Sequence, residues 1–154
     1  PRWAILFGQK GQSRVAFPGV IARLKSEASK LRPGIIMVTI GTNGNNTEEK
    51  LKEMTDLILS IGARPILNHI PMMTSVSGTK TVNDMIDKVV ASYGHGTVGC
   101  CRFDVATAVG NDPAQGQDTS LFISDLIHPN DAGHLCLMNQ AKIDCPEIFQ
   151  NILI

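Results

Sequence analysis

The run Asp125-Leu126-Ile127-His128-Pro129-Asn130 places an acid and an imidazole three residues apart, stiffened by a proline. A histidine titrating near neutral pH can take a proton from a nucleophile, and a nearby carboxylate can hold its ring in the right tautomer. One loop therefore supplies an acid–base pair that most hydrolases assemble from distant segments. The plain alternative is a turn whose aspartate caps the next helix. A second polar run, Gly41-Thr42-Asn43-Gly44-Asn45-Asn46, directly follows the most strand-like stretch of the chain and strengthens the chemical reading.

The elements that must position these runs alternate. Trp3 to Phe7 reads as a short buried strand, followed by the turn Gly8-Gln9-Lys10-Gly11-Gln12-Ser13. Val20, Ile21, Leu24, Ala28 and Leu31 fall at helical spacing and predict a helix ending before Pro33. Ile35 to Ile40 is nearly all apolar, as expected of a central parallel strand. Asn46 and Glu49 form a capping pair for a helix striped by Leu51, Met54, Leu57, Ile58 and Ile61 and stopped by Gly62. Pro65 to Ile70 is the next strand. A loop through Ser75, Ser77 and Gly78 leads to a helix striped by Val82, Met85, Ile86, Val89 and Val90. Gly99 to Val105 reads as a strand and 110–120 as a polar loop. Asp131 caps a helix carrying Leu135 and Met138, and a short helical turn follows Pro146.

This alternation predicts one α/β domain over residues 1–154, three-layered, with a mostly parallel sheet. Such sheets bind ligands beyond the carboxyl ends of their strands. The topology therefore brings Gly11, Asn43 and the Asp125/His128 loop to one edge, which is the main argument from the residues for an active site. Composition excludes other classes. Lys+Arg and Asp+Glu both number 14, so no basic excess suggests nucleic acid, and aromatics at 5% are too sparse for base stacking. No apolar run reaches membrane-spanning length. Cys100 and Cys101 are adjacent while Cys136 and Cys145 stand alone, so no C-x-x-C knuckle exists and buried thiols are expected. Neither polar loop carries a G-x-G-x-x-G or P-loop pattern, which counts against a flavodoxin-like nucleotide-binding domain.

The chain resembles the SGNH (or GDSL) hydrolases. That family uses a Gly-Asp-Ser nucleophile turn, a glycine, a Gly-x-Asn-Asp loop and an Asp-x-x-His-Pro loop. Asp125-Leu126-Ile127-His128-Pro129 looks like the last block, Gly41-Thr42-Asn43 is similar to the third, and Gly11 looks like the second. Gly44 stands where the family most often has Asp, as it does in some relatives acting on O-acetylated polysaccharides. The resemblance implies a three-layer, flavodoxin-like SGNH hydrolase fold without metal or organic cofactor. It implies a serine esterase removing acyl groups, acetyl first, from a small-molecule or polysaccharide ester. His128 and Asp125 would be catalytic, and Gly11 and Asn43 would form the oxyanion hole. Thr42 and His69 are candidate substrate contacts, with a satisfied buried histidine as the plainer reading of His69. His95 reads as an exposed loop residue and His134 as structural. Family analogy favours a secreted or cell-envelope location.

No Gly-Asp-Ser occurs in the sequence. In the family that block follows a first strand lying between the strands that Trp3–Phe7 and Ile35–Ile40 resemble. The chain opens on Pro1-Arg2 and runs at once into an apolar stretch. The expectation is that this is the C-terminal part of a longer chain and that its first strand is missing. A further segment or second chain would then fill the gap between those two strands and carry the serine. A competing register takes Gly11-Gln12-Ser13 as the nucleophile turn, with Ser13 attacking. The alternative function is a non-catalytic, SGNH-like carbohydrate-binding module that has lost its nucleophile.

Overall fold

A computed structural model of the chain describes residues 3–6, 17–31, 33–42 and 46–150. The architecture is α/β, and the chain divides into two compact units: Pro1–Asn68 with Met85–Cys100, and His69–Asp84 with Cys101–Ile154.

The first unit is built on a parallel three-stranded sheet in the order β1-β2-β3, comprising Trp3–Leu6, Ile35–Val38 and Arg64–Leu67. Trp3 pairs with Ile35 and Leu6 with Val38; Ile35 in turn pairs with Arg64 and Val38 with Leu67. This pairing overturns one expectation. β1 and β2 are hydrogen-bonded directly to each other, so no strand from another segment lies between them. Each strand satisfies the other's backbone N–H and C=O groups, which removes the unpaired edges that called for an interposed strand.

β2 is central, as its apolar run predicted. Ile36 and Val38 are buried, and Ile66 of β3 is fully buried. The helix before β2 departs from expectation at its end. It runs as α1 (Phe17–Arg23), a π-helical segment Leu24–Ala28, and the single turn α2 (Ser29–Leu31). Leu24 and Ala28 are buried as the stripe predicted, but Leu31 is 52% exposed. A π turn holds more residues than an α turn, so the residues beyond it are rotated off the stripe.

Helix α3 (Glu48–Ser60) is capped by Thr47, whose hydroxyl accepts from the Lys50 N–H at 3.3 Å. The expected Asn46–Glu49 pair is thus one residue out, because the Asn46 amide instead donates to the Gly41 carbonyl at 2.7 Å. Leu51, Met54, Thr55 and Ile58 form its buried face. Gly62, at φ 80°, turns the chain toward β3 in a conformation that side chains resist. The fourth helix, α4 (Val76–Tyr93), starts earlier than the sequence suggested: Ser75 accepts the Gly78 N–H at 3.3 Å, so Ser77 and Gly78 lie within the helix. Near its far end, the Tyr93 hydroxyl donates to Asp56 at 2.6 Å. Burial, with Asp56 beside it, pushes that phenol up to about 12.

The expected strand from Gly99 to Val105 shrinks to one bridge, Gly99 against Ile66. Residues Phe103–Ala106 instead form the short helix α5. This opens the second unit's main stretch. Three 3-10 turns follow, Val109–Asn111, Pro113–Gln115 and Thr119–Leu121, and then α6 (Asp131–Asp144) and a last turn at Pro146–Ile148. Asn130 rather than Asp131 caps α6, accepting the Gly133 N–H at 3.0 Å. The helix buries Gly133, Gln140 and Ala141, while Leu135 and Met138 are 53% and 40% exposed. Asp144 receives the Arg102 backbone N–H at 2.7 Å and its guanidinium at 3.0 Å, tying α6 to the start of α5. Cys101 and Cys145 are buried, and Cys100 and Cys136 partly so. Among the described residues no helix is long and apolar enough to cross a membrane.

Candidate active site

The segment from Phe122 to Pro129 folds back on itself. Phe122 and Pro129 form an antiparallel bridge, the Ile123 N–H donates to the His128 carbonyl at 2.9 Å, and the Leu126 N–H donates to the Ile123 carbonyl at 3.0 Å. Buried Phe122 anchors one side of this hairpin. On the other, Pro129 fixes its own φ and Asn130 begins α6. The Asn130 amide also donates to the Ser120 carbonyl at 2.8 Å and to that of Phe122 at 3.3 Å, so one side chain caps the helix and closes the loop.

Asp125 and His128 stand at the tip. His128 Nδ1 lies 2.6 Å from Asp125 Oδ2. An ionised carboxylate can only accept, so Nδ1 carries a proton, and it is the neutral form of this ring, with its lone pair on Nε2, that suits a general base. The other carboxylate oxygen accepts the backbone N–H groups of Ile127 and His128, each at 2.9 Å. These backbone bonds, chiefly that of His128, with the His128 ring, hold the Asp125 carboxyl down at about 2. Asp125 is therefore charged throughout the range where imidazoles titrate. The expected aspartate–histidine hydrogen bond is present, and the same aspartate caps its own turn rather than the next helix.

A second histidine–carboxylate pair occupies the same unit. His69 Nδ1 meets Asp104 Oδ1 at 2.8 Å. Burial pushes Asp104 up, but hydrogen bonds from His69, the Val105 backbone and Asn83, with the His69 charge, outweigh it and leave the carboxyl below its usual value. Asn83 also clasps the Ile70 backbone, accepting its N–H at 2.9 Å and donating to its carbonyl at 3.3 Å. Exposure separates the two pairs. The His69 and Asp104 side chains are 6% and 12% exposed, against 62% and 40% for His128 and Asp125. Only the Asp125–His128 pair can meet a substrate without the fold opening.

Thr42 is exposed in a turn after β2, and His69 takes the buried, carboxylate-paired arrangement. His95 and His134 are both exposed. Gly11, Asn43 and the alternative nucleophile Ser13 lie outside the described residues. Sequence reasoning missed Asp104 and Gln117. Asp104 partners a residue 35 positions away, so no local spacing marks it. The available signal was an acid between the apolar neighbours Phe103 and Val105, since a buried carboxylate needs a partner. Gln117 gave no signal; its amide reaches the Leu126 carbonyl at 2.7 Å.

No family model matches the sequence, and neither does any curated protein. Solved structures do. A GDSL-like lipase from Bacteroides thetaiotaomicron VPI-5482 aligns with TM-score 0.68 at 14% identity, over 86% of this chain and 72% of its own. An acetylxylan esterase from Geobacillus stearothermophilus gives TM-score 0.68 at 12% identity, over 84% of this chain and 67% of its own. TesA gives 0.65 at 16%, over 84% and 71%. The chain has the SGNH hydrolase fold. At these identities the likeness speaks to fold, and the chemistry must be argued from the chain's own residues. Among the described residues, the Asp125–His128 hairpin presents a carboxylate-held imidazole to solvent.

Proposed function

We propose that this chain is a serine esterase of the SGNH type, hydrolysing acyl esters, with acetyl groups on a carbohydrate as its substrate class. The observation that carries the reading is the exposed His128 ring, held by Asp125 at 2.6 Å with its second nitrogen available as base. The resemblance of the Gly41-Thr42-Asn43 run to an oxyanion loop supports it, as does a fold shared with esterases and a lipase.

In this reading His128 Nε2 takes the proton from a serine hydroxyl as its oxygen attacks the ester carbonyl. Asp125 stabilises the imidazolium without taking the proton. The Asn43 amide, with the backbone N–H groups of Gly11 and of the serine, receives the oxyanion; one such donor is worth about 3 kcal/mol in the transition state. The imidazolium then protonates the departing alcohol, and water, deprotonated by the same histidine, releases the acid. Because β1 and β2 pair directly, Ser13 is the first nucleophile to test; in that register Gly11 belongs to the nucleophile turn, and the oxyanion donors are the Asn43 amide and the Ser13 N–H.

The test is acetyl-ester hydrolysis combined with fluorophosphonate labelling and peptide mapping of the adduct. His128→Ala lowers turnover by several powers of ten, and Asn43→Ala lowers kcat by about a hundred- to a thousandfold with little change in KM. Label on Ser13, lost in Ser13→Ala, identifies the nucleophile. Absence of both hydrolysis and labelling, with retained binding of an acetylated xylooligosaccharide, would replace this reading by the carbohydrate-binding module.

A further inference from the structure

Leu126 sits between the acid and the base at φ 56°, in the left-handed region that a branched side chain disfavours. The peptide between Leu126 and Ile127 is gripped at both ends. Its carbonyl, that of Leu126, accepts from Gln117 Nε2 at 2.7 Å. Its N–H, that of Ile127, donates to Asp125 Oδ1 at 2.9 Å. Returning Leu126 to a negative φ would swing its carbonyl and the peptide that follows, and would break both bonds together. Gln117 is itself well founded. Its backbone bridges antiparallel to Ala108, the next N–H, of Asp118, donates to the Thr107 carbonyl at 3.0 Å, and Thr107 is fully buried. Thr107 is fixed in turn by its hydroxyl, which donates to the Phe103 carbonyl and accepts the Met72 N–H, each at 2.7 Å. The Gln117 amide oxygen is buried without a hydrogen-bond partner among the described residues. The orientation of the amide is nevertheless unambiguous, because a carbonyl can face only its NH2 end. The half-buried Gln117 side chain thus directs its NH2 to the Leu126 carbonyl.

We propose that Gln117 is a positioning residue for the reaction at His128: by holding the Leu126 carbonyl it keeps Leu126 in its left-handed conformation, and so holds Asp125 in the rotamer that aims the imidazole. This rests on the esterase reading for its kinetic consequence but not for its structural one. Without the Gln117 donor, the peptide turns, Asp125 Oδ1 loses the Ile127 N–H, and the carboxylate is no longer held from two sides. The Asp125 carboxyl then titrates higher than its present value of about 2, since a hydrogen bond favouring its charged form has gone.

The experiment compares the wild-type protein with Gln117→Leu, Gln117→Glu and the double variant Gln117→Leu/Leu126→Gly. Two quantities are read: acetyl-ester kinetics and the titration of the Asp125 carboxyl by carbon-13 NMR. Gln117→Leu lowers kcat by about ten- to a hundredfold, with KM changed less than about twofold, the scale set by small misplacements of catalytic groups. It also raises the Asp125 midpoint. Gln117→Glu, nearly isosteric but lacking the donor, does the same and serves if the leucine variant fails to fold. Adding Leu126→Gly restores most of the lost activity, because glycine keeps a left-handed φ without strain. A purely packing role for Gln117 gives no such rescue. Wild-type kcat in Gln117→Leu, or an unmoved Asp125 midpoint in both Gln117 variants, overturns the proposal. Should the wild-type protein hydrolyse no ester, the esterase reading fails by itself, and the Asp125 titration still decides the role of Gln117.

Discussion

Asp125 and Asp104 each hold a histidine, yet their surroundings give them different work. Asp125 is fixed mainly by backbone N–H groups on an exposed hairpin, so its partner's ring remains open to solvent. The arrangement carries a strain of about 1–2 kcal/mol at Leu126, the usual cost of a left-handed residue with a side chain. Asp104 is buried against His69, and its role is to make a buried imidazole tolerable. Its carboxyl titrates below the usual value, so between the folded and unfolded values the unfolded chain binds more protons. The stability it contributes is complete above the unfolded value of about 3.9 and is lost as the pH falls through the lower folded one. Asp104→Ala is expected to reduce stability at neutral pH by about 2–4 kcal/mol, since it strips the acceptor from a buried His69. Below about pH 4 the difference from wild type should shrink. Urea melts from pH 3 to 7 check this, and two curves that stay parallel would exclude Asp104 as the source. The short-range pair was legible in the sequence because both residues lie in one turn. The long-range pair was not, since nothing local to His69 points to Asp104.

At the scale of elements, helix α6 and the hairpin before it depend on Gly133. A Cβ there would collide with the Leu121 carbonyl and come within 2.9 Å of the Pro129 Cβ, so backbone rather than a flexible side chain stands in the way. Leu121 and Pro129 flank the His128 turn, and Asn130 caps the helix through the Gly133 N–H. Gly133→Ala is therefore expected to cost about 2 kcal/mol or more and to shift the His128 ring resonances, as overpacking against a rigid wall does. Wild-type melting with unchanged His128 resonances would show that the loop gives way freely. The periodicity of α3 marked its buried face well, apart from a one-residue error at the cap. Elsewhere periodicity misled. The π turn at Leu24–Ala28 moved Leu31 out to solvent, and α6 turned Leu135 and Met138 outward while burying a glycine and a glutamine. A hydrophobic stripe reports which residues favour burial, but a change of helical pitch or a close backbone approach decides which obtain it.

At the scale of the whole chain, the direct pairing of β1 with β2 has the widest consequence, because it bears on where the nucleophile comes from. Ile5 and Met37 are partners across that parallel register. Neighbouring strands lie about 4.8 Å apart, and an interposed strand would double that, beyond the roughly 7 Å reach of a disulfide. A variant carrying Ile5→Cys and Met37→Cys is expected to close a disulfide on mild oxidation, detectable by peptide mass mapping. Failure to close, while the protein remains folded, would mean that another strand separates the two. The sequence by itself determined the alternation of elements, the central place of Ile35–Val38 and the pairing of Asp125 with His128, because each is written in local spacing or composition. Only the tertiary structure decided that β1 adjoins β2, that His69 rests on Asp104, and that Gln117 holds the Leu126 carbonyl. Those contacts join residues far apart in the chain, and their energies depend on burial and backbone geometry that no local pattern encodes.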